Sequence, residues 1–194
     1  MAVRVGALLL AAGYSERFGS SKLLAELDSG NTLFTQTRDR LKAVVPDYIA
    51  VTRPELAQQL REIEPGINVC ERARQGMGAS LAFGIELAAA AQWDATLICL
   101  ADMPFIESAT YAQLAAAAKP DAIVIPCFDG RAGNPVSFGS QFYSDLLTLE
   151  GDAGGRVILQ QHQPSVVKLA MDSESILADI DTPQDLAALQ THFR

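Results

Sequence analysis

Short apolar runs and helix-spaced apolar positions take turns along this chain, in the order of an open α/β sheet. The first run, VGALLL, is apolar throughout and stops at Ala11-Ala12-Gly13. A run of that length ended by glycine predicts a strand over residues 5–10, buried in a parallel sheet. A polar, glycine-punctuated loop follows and holds Ser15, Arg17, Gly19, Ser20, Ser21 and Lys22. Asp28-Ser29-Gly30-Asn31 is a turn cluster, Thr32 is placed to cap a helix, and Leu33, Phe34, Thr37 and Leu41 share one helical face. A strand is predicted over 48–52, a helix over 54–63 with Leu56, Leu60 and Ile63 on one side, and a short strand over 67–70. Gly76 and Gly78 then make a loop, and Ser80 opens an alanine-rich helix that buries Leu81, Ile85 and Ala88.

ATLICL, residues 95–100, is apolar but for Thr96 and predicts a central strand. A helix over 111–119 and a strand over 122–126 follow. Asp129-Gly130 is a hairpin signal leading to a strand over 136–138, a pair expected to be antiparallel and at a sheet margin. Helices over 142–147 and 157–161, a strand over 166–169 and a short strand LADI over 177–180 complete the pattern before the last helix. That helix has Thr182 as its N-cap, Pro183 at its first position and Asp185 in its first turn.

Composition narrows the picture. With 194 residues, 49% hydrophobic and 20% charged, the chain suits one globular domain spanning 1–194. A net charge of −8 argues against a nucleic-acid binder, but leaves room for a nucleotide held by a local pocket of cations. Cys70, Cys99 and Cys127 stand far apart with no CxxC, so they read as small buried hydrophobes in a reducing cytoplasm and not as a zinc site. His162 and His192 sit in polar surroundings and read as surface residues. No apolar run approaches the roughly 20 residues of a membrane span, and residues 5–10 read as a strand, not a signal peptide. A cytoplasmic protein is expected.

The candidate chemistry lies at the ends of the apolar runs. After the first, small residues allow backbone amides to approach an anion, with Arg17 and Lys22 to neutralise it; an ordinary strand-to-helix turn has the same pattern. The Gly76–Gly78 loop admits the same two readings. Asp102 follows the central strand directly, where open α/β sheets bind ligands, and it precedes the next helix by too many residues to make a good N-cap. Asp179 and Asp181 flank Ile180; strand alternation would set both carboxylates on one side, as for a divalent metal or as on a solvated edge. Cations for a polyphosphate together with carboxylates for Mg²⁺ are what nucleotidyl transfer needs.

LLLAAGYSERFGSSK closely resembles the LAAGxSxRFGxxK signature of the nucleotidyltransferase superfamily related to molybdopterin-guanine-dinucleotide synthesis. ADMPF is similar to that family's strand-end Asp-x-Pro, and DIDTPQDL to its C-terminal element. GMGASL, RAGNPVSF and GDAGGR resemble, in that order, loops of molybdenum-cofactor cytidylyltransferases. The resemblance implies a Rossmann-like doubly wound, mostly parallel α/β sheet of the nucleotide-diphospho-sugar transferase type. It implies transfer of CMP from CTP to a phosphorylated acceptor, a molybdopterin, with loss of pyrophosphate and with Mg²⁺ as cofactor. A client molybdenum enzyme would be the further partner.

By that resemblance Leu10, Ala11, Ala12 and Gly13 hold the nucleotide, with Arg17 and Lys22 on the triphosphate. Gly78 and Ser80 contact the nucleoside, and Asp102 ligates Mg²⁺ with Asp181, or Asp179 behind it. Arg131, Asn134 and Arg156 face the acceptor. Ala12 is the clue to base choice, since AAG at this point goes with CTP in the family and AGG with GTP. Two alternatives stand beside this reading: the same transfer onto a sugar or polyol phosphate, and a nucleotide- or cofactor-binding accessory protein with no transferase activity.

Overall fold

The computed structural model describes residues 3–15, 17–19 and 21–193. Glu16 and Ser20 of the first loop lie outside the described residues. β1 (Val5–Ala11) is flanked by β2 (Tyr48–Thr52) and β4 (Ala95–Leu100), both parallel to it, and β3 (Asn68–Val69) extends the sheet beyond β2. β5 (Ile123–Phe128), β6 (Arg131–Ala132), β7 (Val136–Gly139) and β8 (Val166–Ala170) complete eight strands in the order β3-β2-β1-β4-β7-β5-β6, with β8 on β5. The mostly parallel sheet agrees with the fold read from the sequence.

The helices are α1 (Leu33–Lys42), α2 (Pro54–Arg61), α3 (Met77–Ala90), α4 (Ser108–Ala117), α5 (Tyr143–Leu146), α6 (Arg156–Gln161) and α7 (Pro183–His192). Alternation along β1 sends Ala7, Leu9 and Ala11 to one face, where they meet Phe34 and Leu41 of α1, Leu56 and Leu60 of α2 and Tyr111 and Leu114 of α4. Leu8 and Ala12 point to the other face, against Leu81, Ile85 and Ala88 of α3, Leu146 of α5 and Ile158 of α6. These two cores make the doubly wound, three-layer arrangement. A small third cluster joins Ile180 to Leu27 and Leu33, with Leu186 and Leu189 of α7 packed against it.

Local signals act as read. Thr32 caps α1 through a reciprocal pair with Thr35, and Thr182 caps α7 the same way with Asp185. Asp129 and Gly130 both take positive φ, the backbone that a two-residue hairpin demands, and join β5 to β6.

Two expectations are corrected. β7 is antiparallel, but it lies inside the sheet, bonded to β4 on one side and β5 on the other; of β6 and β7, only β6 is marginal. The LADI segment is not a strand. Residues Glu174–Leu177 form a 3₁₀ turn, and the chain then runs through 178–181 without strand pairing. The amide of Ile180 donates to the Asp102 carbonyl, at 3.2 Å, and Ile180 itself is fully buried. Packing, not a ladder, therefore turns Asp179 and Asp181 to one side.

Among the described residues no helix is long and apolar enough to cross a membrane. Cys70 and Cys99 are buried and Cys127 is half-buried, all as free thiols. His162 is half-buried, its ring 5.0 Å from that of Phe142 and its Nε2 2.7 Å from Asp145; exposed His192 pairs with Glu174.

Candidate active site

β1 leads outward to β2 and β3, and α3 then returns the chain to β4 on the other side of β1. The strand order thus reverses between β1 and β4, and open sheets form their ligand crevice beyond the carboxyl ends of such strands. A cavity of about 520 Å³ lies there. It is lined by Leu10, Ala12, Gly13, Tyr14, Ser15 and Arg17 from the end of β1, Leu100 and Asp102 from the end of β4, and Lys22. Ala73, Gly76, Met77 and Ser80 close one wall, and Asp152, Asp179 and Asp181 border it.

Lys22 is the electrostatic centre. Its side chain keeps only 9% of its surface, and its ammonium lies 2.7 Å from Asp102 Oδ2 and 3.2 Å from Asp181 Oδ1. It also donates to the carbonyl of Ile180 at 2.6 Å. An ammonium has three donors, and these partners occupy all three. Burial works against the charge on Lys22, but Asp102 and Asp181 outweigh it and hold its pKa above the ordinary 10.5. Arg17 is largely exposed and reaches Asp181 Oδ2 at 2.8 Å.

Asp102 is the strained partner. Burial pushes its carboxyl above the ordinary range, Lys22 pulls it back, and the net direction is upward. Its Oδ1 is buried with no hydrogen-bond partner among the described residues. A buried carboxylate oxygen left unpaired at the mouth of a ligand cavity fits a divalent cation. Among the described residues no three acidic, His or Cys side chains group closely enough to hold a metal by themselves. Any metal here would draw further ligands from substrate oxygens, the habit of Mg²⁺.

A second cavity of about 530 Å³ shares Leu10, Met77 and Leu100 with the first. Its walls are mainly apolar, including Leu81, Ile98, Ile125, Val136 and Phe138, with Asn134 and Arg156 among its polar groups.

The predicted residues divide accordingly. Leu10, Ala12, Gly13, Arg17, Lys22, Ser80, Asp102, Asp179 and Asp181 come together on the first cavity. Asn134 and Arg156 line the second. Three stand elsewhere. Ala11 is turned into the opposite core, and its carbonyl accepts from the Thr52 hydroxyl at 3.0 Å. Gly78 lies inside α3, not in a loop, and its amide donates to the Gly151 carbonyl at 2.8 Å. A Cβ there would come within 2.9 Å of the Glu150 and Ala153 backbone, so this glycine serves packing. Arg131 is exposed on marginal β6 and lines neither cavity.

Sequence reasoning missed Tyr14, Met77 and Asp152. Gly76 was seen as one of two loop glycines, but it is the N-cap of α3, with φ of +113°, and its backbone lies against Gly151. Asp152 stood within the quoted GDAGGR without a role.

A sheet that opens its β1–β4 switch point onto paired cations and carboxylates offers a place for a phosphorylated ligand. Residues 7–166 match the MobA-like NTP transferase domain, and the chain belongs to that family. It is 30% identical over 190 residues to the purine catabolism protein PucB of Bacillus subtilis (strain 168), covering 92% of both chains. Among solved structures it resembles a nucleotidyl transferase from Methanothermobacter thermautotroptrophicus, Mth528, with a TM-score of 0.82, 22% identity and coverage of 99% and 98% of the two chains. It also resembles Rv0371c of Mycobacterium tuberculosis H37Rv, with a TM-score of 0.80, 23% identity and coverage of 98% and 99%. These two likenesses speak to the fold.

Proposed function

We propose that this nucleotidyltransferase moves CMP from CTP to the terminal phosphate of a molybdopterin-type acceptor and releases pyrophosphate. The observation that carries the reading is the pair of contiguous cavities: one bordered by cations and carboxylates, the other mainly apolar and sharing Leu10, Met77 and Leu100 with it. A triphosphate suits the first. A flat heteroaromatic acceptor suits the second better than a sugar or polyol phosphate, whose many hydroxyls would meet few partners on apolar walls.

In the reaction, an acceptor phosphate oxygen attacks the α-phosphorus in line. The new P–O bond forms as the bond from the α-phosphorus to the bridging oxygen breaks, and pyrophosphate carries away that electron pair. The nucleophile is already anionic, so the site needs no strong base; positioning and charge neutralisation do most of the work. Arg17 would face the polyphosphate from the cavity rim, and Lys22 would supply charge from below. Asp102, with Asp181 or Asp179, would hold Mg²⁺. When bound, that ion neutralises charge on the phosphate oxygens. Ala12, only 8% exposed on the cavity wall, would limit the room for the base. Asn134 and Arg156 would orient the acceptor.

A client molybdenum enzyme would receive the product in the cytoplasm. The test is pyrophosphate release with each of the four NTPs, with and without molybdopterin. Release that requires both CTP and molybdopterin is expected. Turnover with a sugar or polyol phosphate instead would move the acceptor, and NTP binding with no release under any condition would leave an accessory binding protein.

A further inference from the structure

Arg53 follows β2 directly and is the N-cap of α2, yet it caps nothing with its side chain. It is 8% exposed and lies outside the lining of both cavities. Its guanidinium donates through Nη1 to the carbonyl of Gly13 and lies over the Tyr14 ring, 4.6 Å from the centroid. The nearest carboxylate, on Glu55, is 3.8 Å from Nε and is engaged mainly by Arg74, at 2.6 and 2.8 Å. Arg53 Nε is buried with no hydrogen-bond partner among the described residues. A desolvated cation with so little compensation costs folding free energy, which calls for a reason at this place.

Gly13 and Tyr14 supply one. Both line the first cavity, whereas Arg53 sits behind them. A trans peptide unit points its C=O and N–H in opposite directions. With the Gly13 carbonyl held back by Arg53, the amide of the same peptide unit, that of Tyr14, faces forward. Among the described residues that amide donates no hydrogen bond. The neighbouring Thr52 hydroxyl holds the Ala11 carbonyl in the same way, so the end of β2 restrains two carbonyls of the first loop. A Cβ on Gly13 would meet nothing within 4 Å, which leaves that side of the loop open to a ligand.

We infer that Arg53 is a positioning residue of the triphosphate site: it turns the Gly13–Tyr14 peptide so that its amide meets the phosphates, and it places a buried positive charge behind them. The inference rests on the phosphate role proposed for this cavity, but not on the choice of base or acceptor.

The test is calorimetric titration of the full chain with tripolyphosphate in the presence of Mg²⁺, for wild type, Arg53→Met and Arg53→Lys, beside thermal melting of each. Wild type should bind. Arg53→Met should bind about ten- to a hundred-fold more weakly, the scale of a hydrogen bond to a charged group. Arg53→Lys, which keeps the charge but loses the planar fork, should fall between the two. With NTP and acceptor, the loss in Arg53→Met should appear in KM for the nucleotide more than for the acceptor. Unchanged tripolyphosphate affinity in a folded Arg53→Met, or losses in both variants that merely track their melting temperatures, would overturn the positioning role. Should Arg53→Met fail to fold, wild-type affinity in Arg53→Lys would overturn it as well. A wild-type protein that binds no tripolyphosphate would overturn the phosphate site itself, and Arg53's part with it.

Discussion

Replacing Lys22 by Met keeps the methylene stem and its packing but removes the one side-chain cation that, among the described residues, pairs with Asp102. The lysine is 9% exposed and the aspartate 20%, so the 2.7 Å contact is only weakly screened. Breaking a buried pair from one side costs about 3–5 kcal/mol, because the remaining charge stays desolvated. Asp102 has an escape, since it can take up a proton. Holding that proton at pH 7, against an ordinary pKa of 3.8, costs at most about 4 kcal/mol, at 1.36 kcal/mol for each of roughly three pH units. The loss in Lys22→Met is therefore capped near 3–4 kcal/mol, a fall in Tm of roughly 6–15 °C for a domain of this size.

The sign of the pH dependence follows. Burial already raises Asp102, and without Lys22 the folded state binds its proton still more tightly than the unfolded chain does. Stability contributed by such a group is present near the unfolded pKa and is lost as pH rises through the folded value. The gap between variant and wild type should be widest at pH 7.5 and should narrow towards pH 5. Thermal melting at both pH values measures it. A loss below about 1 kcal/mol, equal at both, would refute the view that Lys22 neutralises a buried carboxylate.

Asp102→Asn should behave oppositely, because it removes the desolvated charge and leaves Lys22 on Asp181 and Ile180. Melting should shift by less than about 1 kcal/mol, while pyrophosphate release falls at least about 100-fold, as when one electrostatic group of a transition-state site is lost. Gly76→Ala should destabilise by at least about 1–3 kcal/mol from backbone strain alone, since its φ is +113° and an added Cβ would lie 2.2 Å from the Gly151 backbone; denaturant titration gives the number. Thr182→Ala removes the Asp185 amide's 3.1 Å bond to the cap hydroxyl and should cost about 1 kcal/mol by the same titration, with little change in nucleotide affinity.

The strands and the first wall of the site were legible because their signals are local. β2 and β4 match their predicted spans, and the caps at Thr32 and Thr182 form as the residue types require. The place of β7 was not legible: its four residues have a strand's composition, but whether a strand lies inside a sheet or at its edge is decided by partners far away in the chain. LADI alternates like a strand but pairs with none among the described residues; Ile180 is anchored instead by the Asp102 carbonyl and a separate apolar cluster.

At the site, Asp102 was found from a charged residue directly after a buried strand. The same argument applied to VTRP would have found Arg53 after β2. Gly78 was over-read because a glycine that lets a loop approach a ligand and one that lets a helix approach a loop look alike in sequence. Only the 2.8 Å bond to Gly151 and the 2.9 Å approach to Glu150 and Ala153 separate them.

Transfer of a nucleotidyl group between the two contiguous cavities is measured most directly by following the label from CTP carrying ³²P at the α-phosphate, incubated with the protein, Mg²⁺ and molybdopterin. The label should appear in a cytidine–pterin dinucleotide, formed in step with unlabelled pyrophosphate. Label that stays in CTP or appears only as CMP would contradict such transfer.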